Sequence, residues 1–200
     1  PAPVERTGRP YTFKERKLTA SELEYWQQYG ITPEILEQYK VCSVVQFQSE
    51  NADGNPFSYS STKEEPIYGY KNKRFIKLYR PFSKTRFLYG GNIGESYCFG
   101  LEQLPSKGDT LFITGGEKDV MSLAAHGFHA ICFNSETVTV PPNIIYKLTF
   151  RFKHIILLYD MDATGVESAK KHEKQLCEYG VKRLLLPLQG TKSEKDISDY

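Results

Sequence analysis

The stretch His154-Ile155-Ile156-Leu157-Leu158-Tyr159-Asp160-Met161-Asp162-Ala163-Thr164-Gly165 decides how the second half of this chain folds. Residues 155–158 are apolar whichever way they face, as a strand inside a parallel sheet must be when helices cover both sides. Two carboxylates follow at once. In open parallel sheets functional groups collect at the carboxyl ends of strands, so Asp160 and Asp162 stand where chemistry is expected.

The same pattern repeats outward from this strand. Residues 110–114 read as a strand running into Gly115-Gly116-Glu117-Lys118-Asp119, and residues 130–134 as another. A last strand over 181–188 precedes a loop ending in Lys195-Asp196-Ile197-Ser198-Asp199. Helical patterns over 119–126, 143–150 and 165–179 alternate with these strands. The fold class predicted is α/β, with a doubly wound parallel four-stranded sheet over residues 105–200.

The first half reads differently. Residues 1–18 are polar, basic and rich in proline, and are expected to be a linker or tail. Residues 19–104 are expected to form a smaller α+β module. Ser21 and Glu24 suggest a capping box for a helix ending at Gly30. Thr32 and Pro33 open a second helix, with Ile35, Leu36 and Tyr39 as its apolar stripe. Short β-like runs follow at 41–47, 66–70, 74–79 and 86–89. Residues 51–61 read as a loop, and Lys71-Asn72-Lys73 as a hairpin turn.

Composition narrows the class. The chain has 200 residues, 40% hydrophobic and 25% charged, which suits one large globular domain or two small ones. Net charge is only +2, but between Ile67 and Gly94 no acid occurs. That stretch carries Lys71, Lys73, Arg74, Lys77, Arg80, Lys84 and Arg86, interleaved with seven aromatic rings. Cations attract phosphates and aromatic faces stack unpaired bases, so Lys73, Arg74, Lys77, Arg80, Lys84 and Arg86 are candidate nucleic-acid contacts. A plain solvated sheet with aromatic core residues is the competing reading. The four cysteines are scattered, without a C-x-x-C pair, which suggests a reducing compartment and no structural zinc. No apolar run approaches the length of about 20 residues that spans a membrane, and no signal peptide opens the sequence. A cytoplasmic location is expected.

Three strand ends thus bring Asp119, Asp160, Asp162 and Asp196 to one edge, with Glu117 and Asp199 nearby. Clustered carboxylates repel and call for a counter-charge; a hard divalent cation such as Mg²⁺, or Mn²⁺ in its place, supplies it. The plainer alternative is that each acid only caps the helix that follows it.

The motifs at 113–120 (Ile-Thr-Gly-Gly-Glu-Lys-Asp-Val), 158–165 (Leu-Tyr-Asp-Met-Asp-Ala-Thr-Gly) and 195–196 (Lys-Asp) resemble the Toprim family, in this order over residues 110–200. Toprim domains occur in primases, topoisomerases and some nucleases. Residues 25–35, the basic strands over 73–89 and Tyr97-Cys98-Phe99-Gly100-Leu101 resemble the catalytic core of bacterial and phage DNA primases. The resemblance implies a Mg²⁺-dependent nucleotidyltransferase that makes RNA primers on single-stranded DNA from nucleoside triphosphates during DNA replication. It also implies a replicative helicase as partner or fused domain. By the same resemblance Asp119, Asp160, Asp162 and Asp196 would hold metal, and Glu117, Asp160 and Asp162 would be catalytic. The family's first motif reads Glu-Gly-x-x-Asp, its Glu acting as general acid or base; here Gly115 stands in that place, with Glu117 two residues on. A nucleic-acid-binding module with a degenerate site and a Toprim nuclease are therefore alternatives. Asp160-x-Asp162 also fits haloacid-dehalogenase-type phosphatases, but only 38 residues follow Asp162 to carry their further motifs.

Overall fold

A computed structural model describes residues 8–51, 53–94, 97–191 and 194–199 of the chain. It divides into two compact units, one of residues 1–25 and 36–95, the other of 26–35 and 96–200.

The first unit is an antiparallel sheet of β1 (Tyr11–Arg16), β2 (Val41–Glu50), β3 (Pro56–Ser60), β4 (Tyr68–Lys71), β5 (Phe75–Tyr79) and β6 (Phe87–Gly91). The strand order is β1-β2-β4-β5-β6, with β3 also paired to the long β2. Gly91 N–H donates to Arg9 O at 3.1 Å, so the segment leading into β1 meets the last strand and the sheet curls toward closure. Its core is Val44, Phe47, Ile67, Ile76 and Leu78 with Cys42. A fully buried Leu or Ile contributes about 1.5–3 kcal/mol.

Two strands here were not expected. Residues 11–16 of the expected tail form β1, and residues 56–60 of the expected loop form β3; residues 1–7 lie outside the described residues. Both strands pair along β2, where backbone hydrogen bonds stand in for missing apolar content. The expected turn at 71–73 joins β4 to β5 as an antiparallel pair.

Helices α1 (Ala20–Gln27) and α2 (Pro33–Gln38) each straddle the division of the chain. The capping box of α1 lies two residues before the expected one. Thr19 N–H donates to Glu22 Oε2 at 2.8 Å and Glu22 N–H to Thr19 Oγ1 at 3.4 Å. Glu22 wins over Glu24 because it is buried and also bound by Arg16 and Ser43.

The second unit alternates β7 (Gly108–Thr114), α3 (Glu117–Ala125), β8 (His129–Cys132), α4 (Pro142–Thr149), β9 (Phe152–Leu158), α5 (Ala163–Gln175) and β10 (Lys182–Arg183). The sheet order is β10-β9-β7-β8 and every pair is parallel, as the alternation predicts. Leu111, Ile113, Ile131 and Leu157 sit at its centre without solvent exposure. Thr114 pairs with both Leu158 and Cys132, which sets the carboxyl ends of β7, β8 and β9 level. The last strand is shorter than the expected 181–188. After one more bond from Leu184 N–H to Leu157 O it leaves the sheet, and Leu184 and Leu185 are exposed.

Candidate metal centre

The level strand ends bring three carboxylates together. β7 ends at Thr114 and the chain turns through Gly115 and Gly116 into α3, placing buried Asp119 in the first helical turn. β9 ends at Leu158 and delivers Asp160. Asp196 immediately precedes a 3-10 turn, Ile197–Asp199, that packs on α3. Carboxylate oxygens of Asp119, Asp160 and Asp196 all lie within 4.8 Å of one another. Ser198 Oγ stands 2.5 Å from Asp196 Oδ1 and 3.0 Å from Asp119 Oδ1, able to donate its hydrogen to either. Ser198 and Asp199 backbone N–H groups donate to Asp196 Oδ1, each at 3.1 Å, fixing that carboxylate.

Electrostatics there are unfavourable for three bare charges. Burial, then the charge of Asp196, pushes the Asp119 carboxyl well above the usual range, and Lys118 only partly offsets this. Burial also raises Asp160, against the pull of Lys195. Buried carboxylates that share a site hold their charge when a cation joins them. Mg²⁺ prefers hard oxygens at about 2.0–2.1 Å and uses few carboxylates alongside water and phosphate. The donor set fits such an ion.

Asp162 has a different position. Its Oδ1 caps α5, accepting Gly165 N–H at 3.0 Å, and its Oδ2 lies 3.1 Å from Lys195 Nζ. The capping bond, first among the causes, holds its carboxyl below the usual range. It is not among the three carboxylates that converge. Lys195 also donates to Asp160, bridging both acids of the motif. Gly165 is needed for space: a Cβ there would lie 2.2 Å from the Asp160 carbonyl oxygen.

Glu117 and Glu136 stand in different surroundings near the end of β7. Glu117 is buried, and the Tyr97 hydroxyl donates to its Oε1 at 2.5 Å. Position 115, two residues earlier, faces the acidic site: a Cβ on Gly115 would lie 3.0 Å from Asp160 Oδ1 and 3.2 Å from Glu136 Oε2. Glu136 follows β8, and burial, then the charges of Asp160 and Asp162, pushes its carboxyl up to about 7. It was missed in the sequence, although it stands after β8, a strand of the parallel sheet whose carboxyl end carries no motif. In the sequence Lys195 and Ser198 read only as part of the last acidic motif and its loop, without a role for Lys195 Nζ or Ser198 Oγ.

The six basic candidates separate by exposure. Lys73, Arg74, Lys84 and Arg86 are exposed. Lys77 is 2% exposed, its Nζ 4.6 Å from the centre of the Phe87 ring. Arg80 is 8% exposed, stacked 4.3 Å from the Tyr59 ring and 3.6 Å from Glu65. These two serve the sheet's own packing. Phe82, Phe87 and Tyr89 remain exposed beside the surface cations.

A match to the Toprim-like family spans residues 112–200, covering the three convergent acids. Residues 112–200 are similar to a Toprim-like domain. Solved structures similar to the chain include the primase fragment of the bacteriophage T7 primase-helicase protein, with 17% identity, a TM-score of 0.56, and coverage of 86% of this chain and 66% of that one. The DnaG primase catalytic domain bound to ssDNA has 18% identity and a TM-score of 0.62, over 90% of this chain and 66% of that one. A DNA primase domain from Pseudomonas aeruginosa has 16% identity and a TM-score of 0.61, over 84% and 64%. The chain thus spans just under two thirds of their lengths or less. Among curated proteins none matches. The likeness extends past the Toprim-like domain to the antiparallel unit, so the chain has the fold of a primase core. Among the described residues no helix is long and apolar enough to cross a membrane.

Proposed function

We propose that the chain is the catalytic core of a DNA primase, joining nucleoside triphosphates into RNA primers on single-stranded DNA during replication in the cytoplasm. The observation that carries this is the convergence of Asp119, Asp160 and Asp196 at the strand ends of a Toprim-like domain within a primase-core fold. Asp119, Asp160 and Asp196 would hold Mg²⁺, or Mn²⁺ in its place, with Asp162 supporting the site through Lys195. The ion, when bound, supplies charge for the triphosphate and the developing negative charge. Asp160 is the carboxylate shared between the ion site and the reacting groups. Lys195 orients it. In the division we propose, residues 105–200 carry the chemistry and residues 19–104 hold the template. Exposed Lys73, Arg74, Lys84 and Arg86 would contact phosphates, with Phe82, Phe87 and Tyr89 as stacking faces. A replicative helicase, separate or fused, is the partner this activity calls for.

Gly115 favours a second reading, a nucleic-acid-binding module without catalysis, since it removes the motif's carboxylate. A primer-synthesis assay with Mg²⁺, labelled ribonucleotides and a mixed-sequence single-stranded template separates the two. The expected result is short RNA product that disappears in Asp160→Asn. Template binding without product would sustain the binding-module reading instead.

A further inference from the structure

At the carboxyl ends of the parallel sheet, one carboxylate oxygen is buried without a hydrogen-bond partner among the described residues. Glu136 follows β8, which lies beside β7 with Cys132 paired to Thr114. The turn after β8 therefore runs alongside Gly115. Glu136 Oε2 is buried and has no hydrogen-bond partner among the described residues. A buried carboxylate oxygen left unpaired is costly, so such a group marks a place where a ligand completes the bonding.

The geometry at position 115 explains where that oxygen points. The missing Cβ of Gly115 would sit 3.2 Å from Glu136 Oε2 and 3.0 Å from Asp160 Oδ1. A side chain leaving residue 115 would therefore enter the space that Glu136 now occupies. Gly115 is not one of the glycines with positive φ, so the backbone does not require glycine there. A Cβ there would be tight against the Asp160 and Glu136 carboxylates. Glu117 is the nearer residue in sequence, but it is engaged by Tyr97.

We propose that Glu136 is the catalytic carboxylate of this site, reaching from the end of β8 into the place that Gly115 leaves clear. Its Oε2 accepts the hydrogen of the attacking hydroxyl of the growing strand beside Asp160. As the new O–P bond forms at the α-phosphorus, the α–β phosphoanhydride bond breaks, pyrophosphate leaves and the hydroxyl proton passes to Glu136. This rests on the reading of the site as a nucleotide-joining centre. It assigns the role to a strand other than the one that carries the motif.

The test is an exchange of positions. In the primer-synthesis assay, Glu136→Gln and Glu136→Ala should each lower turnover by about 10²-fold, the scale set by losing one orienting interaction. Thermal melting and single-stranded DNA affinity should stay near wild type. Adding Gly115→Glu to Glu136→Ala should recover at least about tenfold of the loss, because the new carboxylate enters the same space from β7. A merely structural role for Glu136 would not be rescued from another strand. Wild-type turnover in Glu136→Gln overturns the inference and leaves the proposed function standing. So does a folded double variant with no recovery, or a loss confined to Glu117→Gln. A wild-type chain that binds template and makes no product overturns the functional reading, and this inference with it.

Discussion

Glu22 shows how a single residue's surroundings set its charge. Burial works against its carboxylate, yet bonds from Arg16, Thr19 and Ser43 more than offset this and hold it below the usual range. Arg16 has a side-chain exposure of 37%, so solvent screens the ion pair and the shorter-range hydrogen bonds matter more. A carboxyl lowered in the folded state adds stability above its unfolded pKa of about 4.3, and that stability fades as pH falls through the folded value. Glu22→Gln should therefore lower stability by about 1–3 kcal/mol at neutral pH. Denaturant melts at descending pH check it: the gap between variant and wild type should narrow in the acid range. A gap that stays constant would mean that shape, not charge, matters at this position. The sequence shows an acid near a helix start here, but it cannot show which of two acids is buried. Glu136 illustrates the same limit, since its importance depends on what is missing at Gly115, on another strand.

Elements were legible where apolar content or caps marked them. β7, β8 and β9 stand within a few residues of expectation because residues 111–113, 130–132 and 155–158 must be buried on both faces. β1 and β3 carry the sequences YTFKER and PFSYS, half exposed, and their existence depends on β2 offering a long edge on each side. β5 shows why charge patterns mislead. Its Lys77 lies beneath an aromatic ring, whereas Lys73, Arg74, Lys84 and Arg86 are exposed. Removing Lys73 and Arg74 together should weaken single-stranded DNA binding and reduce the slope of log affinity against log salt by about 0.7 for each phosphate no longer neutralised. Lys77→Ala should instead lower the melting temperature. Anisotropy titrations at several salt concentrations distinguish these; an unaltered slope in the Lys73, Arg74 variant would leave those cations as ordinary surface.

For the whole molecule, the acidic site ties stability to ion supply. Without a cation, Asp119 is a buried carboxyl whose charged form is disfavoured by burial and by Asp196 and Asp160. A ligand that binds only the folded chain stabilises it by about 2.7 kcal/mol at a hundred times its dissociation constant. Mg²⁺ should therefore raise the melting temperature of the wild type. Asp119→Asn relieves the repulsion, so it should melt at or above wild type in the presence of chelator and lose most of the Mg²⁺-dependent rise. A variant that keeps the full rise would remove Asp119 from the ion site. The four-stranded parallel architecture was legible as a whole because its alternation and its motifs agree, whereas the curled antiparallel sheet depends on pairings between distant residues such as Arg9 and Gly91.

The chain alternates between its two units, passing from the first to the second at residue 25, back at 35 and over again at 95. On the ribosome this imposes an order of completion. Residues 26–35 emerge early, but Tyr29, whose carbonyl oxygen accepts from Ser122 and whose ring lies 4.1 Å from Lys118 Nζ, must wait for α3 to be synthesised. A fragment beginning at residue 96 would hold the acidic motifs and still lack that piece of its own packing. No single cut in the gene yields both units whole.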